Sequence, residues 1–342
     1  MFAQTLIAWT KVHGRQHLPW IGCKDPYCIW LSEIMLQQTQ AETVVSYYVR
    51  FLDRFPDVFA LANASLDEVL HLFSGLGYYR RALYLHQTAK MIATDYKGLF
   101  PQDPKALQSL PGIGRSTAAA IAVFAFGKKA AILDGNVKRT LSRVFLVEEE
   151  QASKRDALLW DLAVRLLPEQ DIKIYTQGLM DFGATICTPK TPLCVTCPMV
   201  SFCKAYAQNK VLEFPKQKAL RPKTSKTFLV PLIRLGHAIY LEKRDAYGIW
   251  AHMWMMPLFE DEKRCETFLQ PFGIVQREKL LPVRHELTHI RLDLKPFLFV
   301  AHADTTRVGE KNAGFFTLSE SKNLAMPKPG RFLLDLLEDA RK

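Results

Sequence analysis

Apolar residues recur at helical spacing over roughly the first two-thirds of the chain and at strand spacing over the remainder. Asp25 followed by Pro26 reads as a helix start, a capping carboxylate before a proline in the first turn. That periodicity predicts one long helix from there to about residue 51. Further helices are predicted over 66–73, 80–96, 104–110, 115–126, 136–145, 154–166 and 172–184. Seven basic residues stand between Lys204 and Lys226 against the single Glu213, with Pro215 and Pro222 among them. This is linker composition. Beyond it the period changes. Segments 227–235 and 237–243 flank Gly236 as strands flank a turn, and 289–295 alternates polar with apolar as a half-buried strand does. A short amphipathic helix over 331–340 ends the chain, and no internal repeat is present. The expected architecture is multi-domain: an all-α domain over 1–213, a basic linker over 214–226 and a smaller α+β domain over 227–342.

Composition narrows the class. With 342 residues, 49% hydrophobic and 23% charged, the chain excludes disorder, collagen and coiled coil for its bulk. The longest apolar run, 117–126, is half of the ~20 residues a membrane span needs, so no membrane partner is expected. No basic and apolar export leader is expected either. A formal net charge of +11 favours a polyanionic partner, nucleic acid first. Of seven cysteines, Cys187, Cys194, Cys197 and Cys203 fall within seventeen positions, whereas Cys23, Cys28 and Cys265 read as bystanders. Such a cluster in a chain of this length points to a metal or iron–sulfur site in a reducing compartment. Four thiolates at these spacings could hold either tetrahedral zinc or a [4Fe–4S] cluster.

Three further segments carry chemistry. In Leu110-Pro-Gly-Ile-Gly-Arg-Ser-Thr-Ala118, Gly112 and Gly114 form a tight turn at a helix start, whose N–H groups can bind a phosphate; alone, it reads equally as an ordinary interhelical turn. In Ile132-Leu-Asp-Gly-Asn-Val-Lys-Arg139, Asp134 stands just before a helix. By itself it is a helix cap worth about 1 kcal/mol, and the helix N-terminus is expected to lower its pKa and keep it ionised. Glu33 lies in Trp30-Leu-Ser-Glu-Ile-Met-Leu-Gln-Gln-Thr-Gln40, sharing a face with Gln37 and Gln40 among apolar neighbours. Partial burial there raises a carboxyl pKa. One protonated and one ionised carboxyl are what acid-assisted glycosidic cleavage requires.

With these pieces in order, nearly the whole chain resembles the MutY-type adenine DNA glycosylases, a branch of the helix-hairpin-helix glycosylase superfamily. The strings that carry the resemblance are Leu18-Pro-Trp20, 30–40, Gly75-Leu-Gly-Tyr-Tyr-Arg-Arg-Ala82, 110–118, 132–139 and the four-cysteine loop. The resemblance implies removal of adenine opposite 8-oxoguanine or guanine in double-stranded DNA, by a cytoplasmic, bacterial, nucleoid-associated monomer carrying a [4Fe–4S] cluster on the four cysteines. It makes Glu33 the general acid toward adenine N7, Asp134 the stabiliser of the cationic sugar, and Asn136 their support. It places Gln37, Gln38, Thr39, Leu76, Tyr78, Gly112, Gly114 and Ser116 against DNA. Gln38, Thr39, Leu76 and Tyr78 would probe the opposite base and wedge the duplex, and a stacking and phosphate role is expected of the loop flanked by Arg80 and Arg81. Endonuclease III-type lyases carry a Schiff-base lysine where this chain has Ser116, so a monofunctional glycosylase is expected rather than the alternative bifunctional lyase.

The last third resembles the Nudix-like recognition domain of the same family. Gly248-Ile-Trp250 and Met253-Trp-Met-Met-Pro257 echo its GLWGGL-x-x-FP segment, and residues 259–273 lack the acidic cluster of a catalytic Nudix box. Pyrophosphohydrolase activity is therefore not expected. Leu287-Thr288-His289 takes the place of the family's Phe-Ser-His loop, which implies that Thr288 and His289 touch DNA. Leu287 departs from the pattern by lacking the aromatic ring.

Overall fold

The computed structural model describes residues 1–216, 222–301 and 312–339. Twelve helices occupy the first part: α1 (Phe2–His13), α2 (Pro26–Leu36), α3 (Ala41–Arg54), α4 (Val58–Asn63), α5 (Leu66–Phe73), α6 (Arg80–Thr94), α7 (Pro104–Gln108), α8 (Arg115–Phe126), α9 (Gly135–Phe145), α10 (Ala152–Arg165), α11 (Ile172–Thr185) and the short α12 (Lys204–Ala207). The chain divides into two compact units: residues 1–63 with 84–219, and residues 64–83 with 220–342.

Local chemistry accounts for the helix ends. Asp25 accepts the Tyr27 N–H and Pro26 takes the first position of α2, as the sequence predicts. The long helix expected to reach residue 51 is, however, two helices. Gln37 leaves helical geometry and Gln38 has φ 59°, so the chain turns before Gln40 opens α3 in extended conformation. Gln40 therefore does not share the face of Glu33. Helix α8 runs between two glycines, Gly114 before it and Gly127 after it in left-handed conformation at φ 67°, the geometry a helix C-terminus favours. In the first unit, α1, α8, α9, α10 and α11 bury Phe2, Leu6, Val137, Leu141, Tyr175 and Phe182 in one core, on which the cysteine loop also rests.

The second unit contains a seven-stranded sheet: β1 (Thr224–Leu235), β2 (Ala238–Lys243), β3 (Trp254–Met255), β4 (Gln276–Lys279), β5 (Val283–Glu286), β6 (Ile290–Val300) and β7 (Ala313–Thr317). Its main order is β3-β2-β1-β6-β4, with β5 on β6 and β7 on β2. Strands β1 and β6 run parallel, Val230 opposite Pro296, and β1 and β2 form the hairpin expected around Gly236. Strand β6 alternates burial from Arg291 to Lys295 as its sequence predicts. Helices α13 (Glu262–Leu269), α14 (Leu318–Ser321) and α15 (Lys328–Asp339) complete the unit. Residues 217–221 of the expected linker and Ala340 of the expected terminal helix lie outside the described residues. Among the described residues no helix is long and apolar enough to cross a membrane.

Candidate active site

In the first unit, the end of α2, the start of α8 and the start of α9 surround an open cleft of about 760 Å³, lined by Glu33, Gln37, Ser116, Asp134, Asn136 and Arg139 among others. Glu33 also lines a smaller pocket of about 300 Å³ with Trp20, Ser32, Gln177 and Met180. Its carboxyl thus stands where a polar cleft meets an apolar recess. Burial, and then the charge of Asp134, push Glu33 up to about 8, so it is mostly protonated at neutral pH. A proton donor is available there without any metal or cofactor.

Asp134 caps α9, its Oδ1 accepting the Val137 N–H at 2.8 Å. The expectation that the helix end lowers its pKa fails. Burial raises it, outweighing the N–H groups of Val137 and Asn136 and the charge of Arg139, all of which pull downward. Desolvation wins because the carboxyl is half-buried in the cleft wall, where much of its hydration is lost.

The hydrogen bonds that order the cleft wall around the two carboxyls come from residues the sequence singled out, Gln37, Ser116 and Asn136, and from ones it missed, Arg139 and Asp181. Arg139 donates from Nη2 to Asn136 Oδ1 at 2.8 Å and to the Gly183 carbonyl at 2.7 Å, and from Nε to the Cys187 carbonyl at 2.8 Å. Gly183 permits the approach of α11 to α9, since a Cβ there would fall 2.6 Å from Asn136 Cβ. Ser116 Oγ accepts the Leu133 N–H at 3.0 Å and so anchors the residue before Asp134. Gln37 Nε2 donates to the Gly112 carbonyl and to Thr117 Oγ1, each at 3.3 Å, linking the α2 end to the hairpin. Gln38 is exposed and Thr39 half-buried at the same rim. At the recess, the buried Asp181 accepts the backbone N–H and Nε of Arg15 and Nε2 of Gln177. A spacing signal for Arg139 was present: Asn136, Arg139 and Arg143 follow an i, i+3, i+7 pattern on one face of α9.

The hairpin has the expected geometry. Gly112 has φ 75°, and a Cβ there would come within 2.8 Å of Tyr84 Cβ, so both backbone and space demand glycine. Gly114 precedes α8 as an exposed helix cap, which leaves first-turn N–H groups facing outward.

None of the four loop cysteines is in a disulfide. The thiols of Cys194, Cys197 and Cys203 are raised by burial first, and each feels the charge of its neighbours. Donors already point at the sulfurs: Arg143 Nη1 at 3.5 Å from Cys187 Sγ and the Met199 N–H at 3.4 Å from Cys197 Sγ. Hydrogen bonds to sulfur of this kind support thiolate-held clusters, so the donor set fits one. Among the described residues, no three His, Cys, Asp or Glu side chains are placed to hold a metal ion. Arg143 is fully buried and also donates to the carbonyls of Thr188, Pro189 and Phe214, which fastens the loop to α9.

The second unit holds the remaining expected residues. Tyr78 is 47% exposed with φ 49°, and its hydroxyl accepts from Thr288 Oγ1 at 3.3 Å. Thr288 and His289 are exposed in the turn between β5 and β6, which the Leu287 N–H closes onto the Ile290 carbonyl. Leu76 is buried, so its side chain does not face solvent. Arg81, expected to serve phosphate, is buried instead. It donates to the Leu76 and Gly77 carbonyls and lies over the Phe73 ring, and burial lowers its pKa to about 10. Its charge is used to shape the loop that presents Tyr78.

A hairpin-bearing helical unit with two buried carboxyls beside the hairpin defines a base-excision DNA glycosylase. The comparisons agree: residues 31–164 match the helix-hairpin-helix superfamily of base excision DNA repair proteins, and residues 229–336 match the Nudix domain family. An adenine DNA glycosylase of Buchnera aphidicola (subsp. Baizongia pistaciae) is 35% identical, over 96% of this chain and 94% of the relative. The adenine DNA glycosylase of Mus musculus is 30% identical, over 100% of this chain and 78% of the relative. A solved thermostable thymine-DNA glycosylase superposes with TM-score 0.56 at 34% identity, over 60% of this chain and 95% of that one. The chain belongs to the adenine DNA glycosylase family. The family and the fold class expected from the sequence, helical glycosylase plus Nudix-like domain, are thereby borne out.

Proposed function

We propose that the chain removes adenine mispaired with 8-oxoguanine or guanine from double-stranded DNA, as a monofunctional glycosylase acting as a monomer in the cytoplasm. The observation that carries this is the protonated Glu33 beside Asp134 at the mouth of an apolar recess. An extruded adenine can enter the recess, where Glu33 donates its proton to N7 and makes the base a better leaving group. As the bond between C1′ and N9 breaks, positive charge develops on the sugar. Asp134, fixed as the cap of α9 and facing the charge of Arg139, supplies the opposing negative charge. Water then completes an abasic site. Ser116 has a hydroxyl that cannot form an imine, which supports an intact strand as the product. Gly112 and Gly114 would hold a backbone phosphate, Gln38 and Thr39 would face the mispair, and Tyr78, Thr288 and His289 would touch DNA.

Cys187, Cys194, Cys197 and Cys203 would hold a [4Fe–4S] cluster whose chemistry here is structural: four protein ligands leave no open position for substrate. Aerobically purified protein should then be brown, with about four irons per chain. The test of the function is single-turnover incubation with duplexes bearing A opposite 8-oxoguanine, G, C or T, scored with and without alkali. Breaks should appear only after alkali, and fastest opposite 8-oxoguanine. Strand cleavage without alkali, or equal rates opposite all four bases, would overturn the proposal.

A further inference from the structure

Two of the cysteines outside the metal loop are paired in space. Cys23 lies in the loop before α2, and Cys28 lies in the first turn of that helix. The two thiols are close enough for each to feel the other's charge. Both also converge on one residue: Cys23 Sγ reaches the Asp25 carbonyl at 3.9 Å, and Cys28 Sγ reaches Asp25 Oδ2 at 3.8 Å. Each is partly exposed, and Cys23 lines the apolar recess that Glu33 also lines. Gly22, with φ 79°, turns the chain so that Cys23 faces back toward the helix.

Two thiols side by side, each partly exposed and each drawn to Asp25, one by its backbone carbonyl and one by its carboxylate, are arranged for disulfide formation. We propose that Cys23 and Cys28 are a reversible oxidation site, closing to a disulfide on the recess wall in the presence of a hydroperoxide. Cys23, as its thiolate, attacks the peroxide; the O–O bond breaks, a sulfenic acid forms on Cys23, and the hydroxide that leaves takes up the proton released when the Cys23 thiol ionised, giving water. The Cys28 sulfur then displaces hydroxide from that sulfenic sulfur, giving the S–S bond and a second water. The proton of Cys28 passes to the Asp25 carboxylate, its existing partner, and on to solvent. In sum, two thiols and one hydrogen peroxide give one disulfide and two waters. Burial and neighbouring negative charge push the Cys28 thiol up to about 12, so it serves as the resolving partner rather than the first nucleophile. A dithiol reductant reverses the step.

The sequence makes the test direct, because Lys24 is a tryptic cleavage site between the two cysteines. The full-length protein is treated with hydrogen peroxide, free thiols are blocked with N-ethylmaleimide, and tryptic peptides are mapped with and without dithiothreitol. Peptides 16–24 and 25–50 should appear joined, with the mass of two hydrogens lost, and should separate on reduction. Cys28→Ser should leave Cys23 as a dimedone-reactive sulfenic acid, and Cys23→Ser should leave Cys28 unoxidised at the same dose. Both cysteines remaining fully maleimide-labelled after peroxide, or Cys23 passing to sulfinic acid in wild type with no joined peptide, would overturn the proposal.

Discussion

The surroundings of Glu33 and Asp134 in the first unit and of Tyr78 and Thr288 in the second differ in how they treat polar groups. The first pair is withdrawn from water, and that withdrawal raises both carboxyls. The second pair is exposed and joined by a single hydroxyl hydrogen bond. Desolvation makes a charge or a proton chemically potent, whereas an exposed hydrogen bond offers selectivity of modest size. On the proposed function, bond breaking would fall where water is excluded, and reading of the partner base where a hydroxyl can exchange water for DNA.

Breaking the buried side should have the largest effect. Glu33→Gln keeps the shape but cannot donate a proton, and Asp134→Asn removes the charge that faces the cationic sugar. Each should lower single-turnover adenine excision by about 10²-fold or more while duplex binding survives. Retention of near-wild-type excision by either variant would remove its residue from the chemistry.

The same burial should appear as a stability cost. Glu33 rises from its ordinary value of 4.5 to about 8, so the folded chain holds this proton more tightly than the unfolded chain does. Its contribution to stability is fully present below about 4.5 and is lost progressively as pH rises to about 8. The loss is on the order of a few kcal/mol. Glu33→Gln does not titrate, so its thermal stability should gain on wild type between those pH values. A difference in melting temperature that is independent of pH would contradict the burial argument.

On the exposed side, Thr288→Ala should remove one hydrogen bond, worth roughly 0.5–1.5 kcal/mol. The preference for A opposite 8-oxoguanine over A opposite G should shrink by a few-fold, with little change in the slower reaction. Tyr78→Phe should give a similar loss, and the double variant should lose no more than either alone if the two hydroxyls act as one unit. Equal slowing of both reactions would assign this pair to general DNA affinity.

Much of this contrast was legible in the sequence, but unevenly. Helix α8 was placed from its helical periodicity after the tight turn at Gly112 and Gly114, and Glu33 and Asp134 were singled out by apolar flanks and a cap position. The turn after Leu36 was not visible, because Gln38 adopts a left-handed conformation with no glycine to mark it. The pKa of Asp134 was misjudged because a helix end is written in the sequence whereas loss of hydration in a cleft wall is not. Arg81 was misassigned to phosphate, and Arg139, Arg143 and Asp181 escaped, for a related reason: each is a charged residue used inside the protein, satisfied by backbone carbonyls or by partners far away in the chain. Sequence patterns count such residues as surface. Nor could linear order show that residues 64–83 join the unit of the last third.

The central claim is that a carboxyl kept neutral by burial delivers the proton that releases adenine. The most direct test is the pH dependence of single-turnover adenine release, in wild type and in Glu33→Gln, at saturating enzyme and fixed salt. The wild-type rate should hold near neutrality and fall as pH rises through about 8, where Glu33 loses its proton. The Glu33→Gln rate should be low and lack that alkaline limb. A wild-type rate that stays level well past pH 8, or a Glu33→Gln profile that retains the same fall, would contradict the claim.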